Sequence, residues 1–293
     1  MMVEFGVVAH GGVGTEEALS DGCKAACGAA FRMLEDDKCA LDAVTEACRI
    51  LEDDGRFNAG SGSVLRIDGK TIEMDAAVMD SEKAVGAVIN IRNVKNPVLV
   101  AREVTKTPHV GLAGRGAEAF AEKIGAEPFP GVSEKALQRF HKTMSLFRAG
   151  KIGEINPLWK DADKIFFDGI SFDTVGAVAL DRKGSFAVAT STGGACPMMV
   201  GRVGDTPMIG CGFYAGPAGA VAVTGIGEEI VRKMFARAVY DVIENEGDVE
   251  AAGSRGIGLF DPGIAAGLIV ISKKGFAVSA NRSMARHVMM REV

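Results

Sequence analysis

Short apolar runs that end in glycine-rich turns alternate along the chain with segments of helical spacing. The apolar run 5–10 predicts a buried strand, and the glycines that follow it, at 11–14, predict a turn. Apolar residues at spacings of three and four then predict helices over 16–35 and 40–53. The pattern up to residue 148 predicts three strands within 63–91 and helices over 97–106, 113–124 and 133–148.

A polar stretch in the middle of the chain separates this first part from a second set of strands. Residues 150–173 predict a poorly structured connector, and strand patterns resume directly after it. A strong amphipathic pattern predicts one helix over 227–245. The remaining segments predict strands over 174–180, 186–191, 207–212, 218–224, 265–272 and 275–280. This order of elements predicts an α+β fold with layered sheets and helices.

Composition narrows the class of protein. Glycine makes up 38 of 293 residues, well above the usual ~7%, and without a Gly-X-Y period this content indicates tight turns and close backbone contacts. A net charge of −5 without a basic block argues against a nucleic-acid partner. The apolar runs are too short for a membrane helix or a signal segment, and six cysteines without metal-type spacing suggest buried, reduced thiols. We therefore expect a cytoplasmic protein with no membrane partner.

Hydroxyl side chains stand where two consecutive predicted strands begin and end. Thr174 opens one strand, and Thr190–Thr192 closes the next one before a Gly-Gly turn. A single threonine at a strand end is usually a packing residue. Further along, Arg202 and Asp205 lie three residues apart between glycines. Such a cation and anion suit the head group of a free amino acid, because a planar guanidinium binds a carboxylate through two hydrogen bonds.

These residues belong to a series of motifs that extends over nearly the whole chain. The motifs are His10-Gly11-Gly12, Phe57-Asn58-Ala59-Gly60, Glu73-Met74-Asp75-Ala76, Thr174-Val175-Gly176-Ala177-Val178, Thr190-Ser191-Thr192-Gly193-Gly194, Gly201-Arg202-Val203-Gly204-Asp205 and Thr224-Gly225. In this order they resemble the plant-type asparaginase and isoaspartyl peptidase family of N-terminal nucleophile hydrolases. The resemblance implies a four-layer αββα sandwich that hydrolyses L-asparagine or N-terminal β-aspartyl peptides.

The resemblance also implies that a single domain, 1–293, cuts its own chain between Asp173 and Thr174. The products would be an α chain, 1–173, and a β chain, 174–293. A threonine hydroxyl needs an adjacent base, and the freed α-amino group, whose ordinary pKa is about 7.7–8.0, supplies one. Cleavage would therefore create the active site. Because related aspartylglucosaminidases carry the same Asp-Thr pair, hydrolysis of sugar-linked asparagine is an alternative.

Site roles follow from the resemblance, motif by motif. It implies that Thr192 bonds the region of the nucleophile, Thr174, and that the Thr224 hydroxyl and the Gly225 N–H form the oxyanion hole. The substrate would be held by two charged and two uncharged residues. These are Arg202 for the α-carboxylate, Asp205 for the α-ammonium, and Asn58 and Gly227 beside them.

No catalytic cofactor is implied, but some family members bind sodium through the loop that follows the second predicted helix. The corresponding backbone carbonyls here belong to Leu51, Glu52, Asp54, Phe57, Ala59 and Ser61. The resemblance also implies a small-molecule substrate and a dimer of αβ pairs.

One stretch departs from the family pattern. Family members often carry a threonine and a lysine after the Gly-Gly turn, where this chain has Cys196 and Met198 within the stretch 195–200. The edge of the predicted site therefore becomes apolar and polarisable, and this change affects which leaving group the site favours. The departure also supports a third alternative, an uncleaved binding protein of the same fold.

Overall fold

A computed structural model describes residues 2–149, 174–196 and 198–293. The predicted connector, 150–173, lies outside the described residues, and so does Asp173. The described chain forms two β-sheets that pack face to face, with helices on both outer faces.

The larger sheet has seven strands. Their order is β11 (Met284–Glu292), β1 (Val3–Val13), β5 (Thr174–Leu180), β6 (Phe186–Thr192), β2 (Met74–Asp80), β3 (Val85–Ile91) and β4 (Gly111–Ala113). Neighbouring strands are antiparallel, except that β3 and β4 are parallel. Strand β5 is fully buried along its length, since it lies in the middle of the sheet and is covered on both faces.

The smaller sheet has four antiparallel strands. Their order is β10 (Gly275–Ala280), β9 (Ala266–Ser272), β8 (Gly219–Gly225) and β7 (Phe213–Gly216). Side chains from the inner faces of the two sheets meet in one apolar cluster that includes Phe186, Phe213 and Ile269. Burial of this apolar surface holds the sheets together.

Helices cover the outer faces. The helices are α1 (Ser20–Glu35), α2 (Ala40–Asp53), α3 (Pro97–Val104), α4 (Gly114–Lys123), α5 (Glu134–Arg148), α6 (Gly227–Lys233), α7 (Phe235–Glu246) and α8 (Val249–Gly258). The apolar faces of α1, α2 and α3 pack on the larger sheet. Those of α7 and α8 pack on the smaller sheet. The layers are therefore helix, sheet, sheet, helix, and the predicted αββα sandwich is confirmed.

Three local strand predictions were wrong. Strand β1 continues through the predicted glycine turn to Val13, with a bulge between His10 and Val13. Residues 63–73 form a loop with a turn at Asp68 and contain no strand. The Arg66 N–H donates to the Thr71 carbonyl and closes this loop. Residues 207–212 form successive turns, and the strand begins only at Phe213.

The predicted helix 227–245 is broken in two. Met234 adopts a left-handed conformation, with φ of 46°, between α6 and α7. The break frees the first N–H groups of α7, and those of Ala236 and Arg237 donate to the carbonyls of Cys211 and Gly210. Tertiary hydrogen bonds thus override the local helical pattern, and α6 becomes a separate short element beside the site.

Three of the elements named above were missed, and one expectation about the cysteines was too broad. Strand β4, helix α8 and strand β11 were not predicted, although β11 pairs with β1 over most of its length. Five cysteines are buried free thiols, whereas Cys39 is exposed. Among the described residues, no helix has both the length and the apolar character needed to cross a bilayer.

Candidate active site

A narrow cleft lies where β5 begins and where β6 and β8 end. Its lining residues are Thr174, Thr192, Gly194, Ala195, Arg202, Asp205, Thr206, Gly225 and Gly227. Six of the eight residues predicted for catalysis and substrate binding therefore line one cleft. The other two, Thr224 and Asn58, lie directly behind its wall, as described below. The structure brings together residues that are separated by more than fifty positions in the sequence.

Thr174 stands at the first position of β5, and its side chain is buried in the cleft. Antiparallel pairing sets it directly opposite Thr192 of β6. Its hydroxyl lies 3.5 Å from the hydroxyl of Thr206, whose carbonyl accepts a 3.1 Å hydrogen bond from the Thr190 side chain. The nucleophile candidate is thus held between two strands and a loop.

The turn after β6 is fixed by side chains from two directions. The Thr192 hydroxyl accepts a 2.9 Å bond from the Gly194 N–H. The side-chain amide of Asn58 donates to the Gly194 carbonyl. The backbone carbonyl of Asn58 accepts a 2.8 Å hydrogen bond from the Gly193 N–H. Asn58 therefore shapes the cleft by holding this turn and does not line the cleft itself.

Thr224 and Gly225 close β8, and Gly225 lines the same cleft as Thr174. The Thr224 hydroxyl oxygen accepts a 3.2 Å bond from the Val13 N–H, so its proton is available for another acceptor. Gly225 has φ of 148°, and a Cβ there would lie 2.3 Å from the Ala265 carbonyl oxygen. Only glycine fits at this position, which keeps the backbone of residue 225 exposed to the cleft.

Two glycines make room for the charged pair at the far end of the cleft. A Cβ on Gly227 would lie 2.7 Å from Arg202 Nη2 and 2.8 Å from Asp205 Oδ1. A Cβ on Gly204 would lie 2.6 Å from Arg202 Nη1. The guanidinium and the carboxylate therefore occupy the space that side chains at these positions would take. A cation and an anion share one wall of the cleft, as the sequence predicted.

Burial dominates the electrostatics of Asp205. It raises the pKa of the Asp205 carboxyl to about 7, and the charge of Arg202 acts in the opposite direction. The Oδ2 atom of Asp205 is buried and, within the described part of the chain, has no hydrogen-bond partner. An unpaired buried carboxylate oxygen is costly, so the site is prepared for a cation or a hydrogen-bond donor.

A buried ionic network beneath the cleft was not predicted as part of the site. Arg66 is fully buried and donates to the Glu73 carboxylate at 3.1 Å, to the Glu73 carbonyl at 2.8 Å and to the Gly193 carbonyl at 3.1 Å. Asp75 lies nearby and pairs in register with Thr192. Burial raises the pKa of Asp75 to about 6, while the Asn90 N–H and the charge of Arg66 oppose the rise.

Two further buried titratable groups lie close to the catalytic strands. Burial lowers the pKa of His10 to about 3, with a partly opposing effect from the Thr174 backbone, so His10 is neutral at neutral pH and only weakly basic. Burial raises the pKa of Glu52 to about 8, and its carboxyl accepts a 2.6 Å bond from the Ser191 hydroxyl. Glu52 thereby links the last turn of α2 to the strand that carries Thr192.

The lip formed by 195–200 has the soft, apolar character that the sequence indicated. The Met198 sulfur accepts a 3.0 Å bond from the Ala195 N–H, and Cys196 is buried. A Cβ on Gly194 would lie 1.9 Å from the Met198 methyl group, so this methionine packs directly against the turn. Pro197 lies outside the described residues.

The loop after α2 gathers backbone carbonyls, which suits a hard cation. A Cβ on Gly62 would lie 1.9 Å from the Phe57 oxygen and 2.7 Å from the Gly55 oxygen. A Cβ on Gly60 would lie 2.7 Å from the Glu52 oxygen. The absence of a Cβ at Gly60 and Gly62 therefore lets the backbone pass close to these carbonyl oxygens. No cluster of His, Cys, Asp or Glu able to hold a metal ion occurs in the ranges that the structure describes.

Sequence reasoning missed three kinds of site residue. Thr206 carried a signal, since it directly follows Asp205 in the predicted binding motif. Glu228 directly follows Gly227, yet its contact with Arg202 depends on the separate placement of α6. Arg66 carried no local signal, because its role comes from burial and from partners on other elements.

The comparisons with known proteins agree with this geometry. A family model described as asparaginase matches residues 5–292. The chain belongs to the asparaginase family. The isoaspartyl peptidase/L-asparaginase of Macaca fascicularis is 41% identical over 283 residues, which cover 92% of this chain and 87% of that protein. The human protein of the same name is 40% identical over 283 residues, with the same two coverages of 92% and 87%.

An archaeal member of the family is similarly close. The plant-type L-asparaginase of Pyrococcus horikoshii is 40% identical over 263 residues, which cover 86% of this chain and 84% of that protein. The family resemblance read from the motifs is confirmed. The match covers residues 5–292, so it includes the residues that form both sheets, the cleft and the helix layers.

Proposed function

We propose that this protein is a self-processing amidohydrolase that releases aspartate from L-asparagine and from N-terminal β-aspartyl peptides. The observation that carries the proposal is the cleft that Thr174, at the first position of β5, lines together with Arg202 and Asp205. A candidate nucleophile and a charged pair that suits an α-carboxylate and an α-ammonium therefore line the same cleft. The names of the relatives, isoaspartyl peptidase/L-asparaginase and plant-type L-asparaginase, support the same chemistry.

The proposed reaction begins with cleavage before Thr174. The new α-amino group accepts the proton of the Thr174 hydroxyl, and the hydroxyl oxygen attacks the substrate's side-chain carbonyl. The Thr224 hydroxyl and the Gly225 N–H donate to the resulting oxyanion. The proton passes to the leaving group, which departs as ammonia or as the amine of a peptide. A β-aspartyl ester of Thr174 remains, and water attacks it to release aspartate and restore the hydroxyl.

Binding and orientation are the proposed tasks of the remaining site residues. Arg202 binds the α-carboxylate of the substrate, and Asp205 with Gly227 receives the α-ammonium. Thr192 and Asn58 hold the turn at Gly194 that borders the nucleophile. Because each group binds a fixed part of an amino acid, the carbonyl to be attacked is set beside Thr174.

Processing and assembly belong to the same proposal. We propose an α chain of 1–173 and a β chain of 174–293 that remain together, and a dimer of such pairs in the cytoplasm. We also propose that sodium binds the carbonyls of the loop after α2, where it would order the loop that carries Asn58. The melting temperature should then be higher in sodium chloride than in choline chloride at equal ionic strength.

The experiment that tests the function combines intact mass spectrometry with a substrate panel. We expect two species, one of which begins at Thr174, and hydrolysis of L-asparagine and of a β-aspartyl dipeptide. Hydrolysis of glycosylated asparagine alone would instead support the aspartylglucosaminidase-like alternative. The comparisons do not favour that alternative, since the relatives named above are asparaginases and isoaspartyl peptidases. A chain that stays whole and inactive would support the binding-protein alternative.

The pKa of Asp205 predicts how binding depends on pH. Because burial raises this pKa to about 7, Asp205 is charged above pH 7 and becomes neutral below it. An ammonium group gains from the charged form, so the inhibition constant of L-aspartate should rise by up to about tenfold per pH unit below 7. Inhibition by succinate, which has no ammonium group, should change little between pH 6 and 8.

The Asp205→Asn variant is the matched control for this pH dependence. It removes the titrating group and should make inhibition by L-aspartate weak and nearly independent of pH over the same range. Equal pH profiles for aspartate and succinate in the unmodified protein would show that Asp205 does not bind the ammonium.

A further inference from the structure

Glu228 forms a two-point ion pair with the candidate carboxylate-binding arginine. Arg202 Nε donates to Glu228 Oε1 at 2.9 Å, and Arg202 Nη2 donates to Glu228 Oε2 at 2.9 Å. Parallel bonds of this kind fix both the position and the plane of a guanidinium. Within the described part of the chain, no other side chain receives a hydrogen bond from Arg202.

The pair uses one edge of the guanidinium and leaves another edge for a ligand. Glu228 takes the edge formed by Nε and Nη2. Nη1 remains, next to Gly204, while Nη2 also borders Gly227 and Asp205. A carboxylate can therefore still approach through the end formed by Nη1 and Nη2, which is itself a two-point site. Glu228 and a bound carboxylate would therefore contact different edges of the same guanidinium.

The elements around Arg202 show that this support is built by the fold. The backbone directly before Arg202 is held by two hydrogen bonds. The Gly201 N–H donates to the Glu73 carboxylate at 2.7 Å, and the Asn90 side chain donates to the Gly201 carbonyl at 2.9 Å. Glu228 fixes the side chain from the opposite direction. Glu228 lies in the first turn of α6, which begins at Gly227 directly after β8 ends at Gly225.

The neighbouring acid on α6 provides a contrast. Glu229 pairs with Arg232 one turn along the same helix, which is a common surface arrangement. Glu228 instead reaches a residue 26 positions away in sequence. Although partial burial opposes it, the hydrogen bonds and charge of Arg202 lower the pKa of Glu228, so the carboxyl is charged at neutral pH.

We infer that Glu228 is a positioning residue that directs Arg202 toward the substrate's α-carboxylate and so gives the site its selectivity for a free amino-acid head group. This inference rests on the proposed function, in which Arg202 binds that carboxylate. Glu228 acts through Arg202 and leaves the reacting carbonyl untouched. Its loss should therefore weaken binding of ligands with an α-carboxylate and leave the chemical step nearly unchanged.

The test compares Glu228→Gln with Glu229→Gln on two inhibitors. L-Aspartate carries the α-carboxylate, and L-isoasparagine has an uncharged amide in its place. We expect Glu228→Gln to raise the inhibition constant of L-aspartate about tenfold or more, because one charge-assisted bond and the alignment of Arg202 are lost. The constant for L-isoasparagine should stay within about twofold, and KM for asparagine should rise with kcat nearly constant. Glu229→Gln should change none of these values.

Each other outcome overturns the inference. Equal weakening of both inhibitors would assign Glu228 a merely structural role. Unchanged binding would show that the loop alone orients Arg202, and tighter L-aspartate binding would make Glu228 a competitor of the substrate. Calorimetry measures the affinities of the variants for L-aspartate and L-isoasparagine without requiring catalysis. A protein that binds aspartate but hydrolyses nothing would therefore refute only the proposed function. A protein that binds neither ligand refutes both.

Discussion

The Thr174→Ala variant is expected to remain a single chain and to lose hydrolytic activity by at least about 10⁴-fold. The hydroxyl at this position is the proposed nucleophile both for chain cleavage and for substrate hydrolysis. Alanine keeps the backbone of β5 and its pairing with β6, since the side chain takes no part in the strand ladder. The loss should therefore appear in chemistry and not in folding.

Intact mass and steady-state kinetics measure this effect together. Thr174→Ser serves as the matched control, because it keeps the hydroxyl and should retain both cleavage and measurable hydrolysis. A Thr174→Ala protein that still splits, or that hydrolyses asparagine within about tenfold of the original rate, would show that another group performs the attack. Thr206, whose hydroxyl lies 3.5 Å from that of Thr174, would then be the next candidate.

The Arg66→Ala variant should lose about 3–5 kcal/mol of folding free energy. Arg66 is fully buried, and its removal leaves the carbonyls of Glu73 and Gly193 without this donor and the Glu73 carboxylate without its buried partner. Uncompensated charges and carbonyls inside a protein are costly, because water cannot reach them. Since Gly193 belongs to the turn after β6, the loss should also loosen the cleft.

Arg92→Ala is the control for Arg66→Ala because both arginines bind the same carboxylate. Arg92 also pairs with Glu73, but its side chain is 41% exposed, whereas that of Arg66 is 0% exposed. An exposed partner is typically worth less than about 1 kcal/mol. Urea denaturation in a Thr174→Ala background, where a single chain unfolds, measures both variants. Equal losses for the two arginines would show that burial does not determine the strength of this network.

The candidate site residues were predicted through a family resemblance, which rests on short local motifs. The structure brings Thr174, Arg202, Asp205 and Gly194 from these motifs to one cleft. Most strands and helices of the central layers also agree with the local hydrophobic pattern. These features depend on contacts within a few residues, which a single sequence displays directly.

The features that escaped prediction depend on distant parts of the chain. The break at Met234 follows from hydrogen bonds to Gly210 and Cys211, and the contact of Glu228 with Arg202 joins residues 26 positions apart in the sequence. Strand β11 is recognisable only through its pairing with β1 at the other end of the chain. Arg66 looks like an ordinary loop residue until its burial is known. Tertiary contacts outweighed local preference in each case.

The order of strands in the larger sheet has a consequence for how the enzyme would lose its structure. Strand β1 lies between β5 and β11, so a chain cut before Thr174 would interleave its two pieces within one sheet. Unfolding would then release two separate polypeptides whose reunion depends on their meeting in solution. Apparent stability would rise with protein concentration, and refolding would slow on dilution. The uncut precursor would show only the concentration dependence of dimer assembly, so the cut would turn the folding of each αβ pair from a first-order process into a bimolecular one.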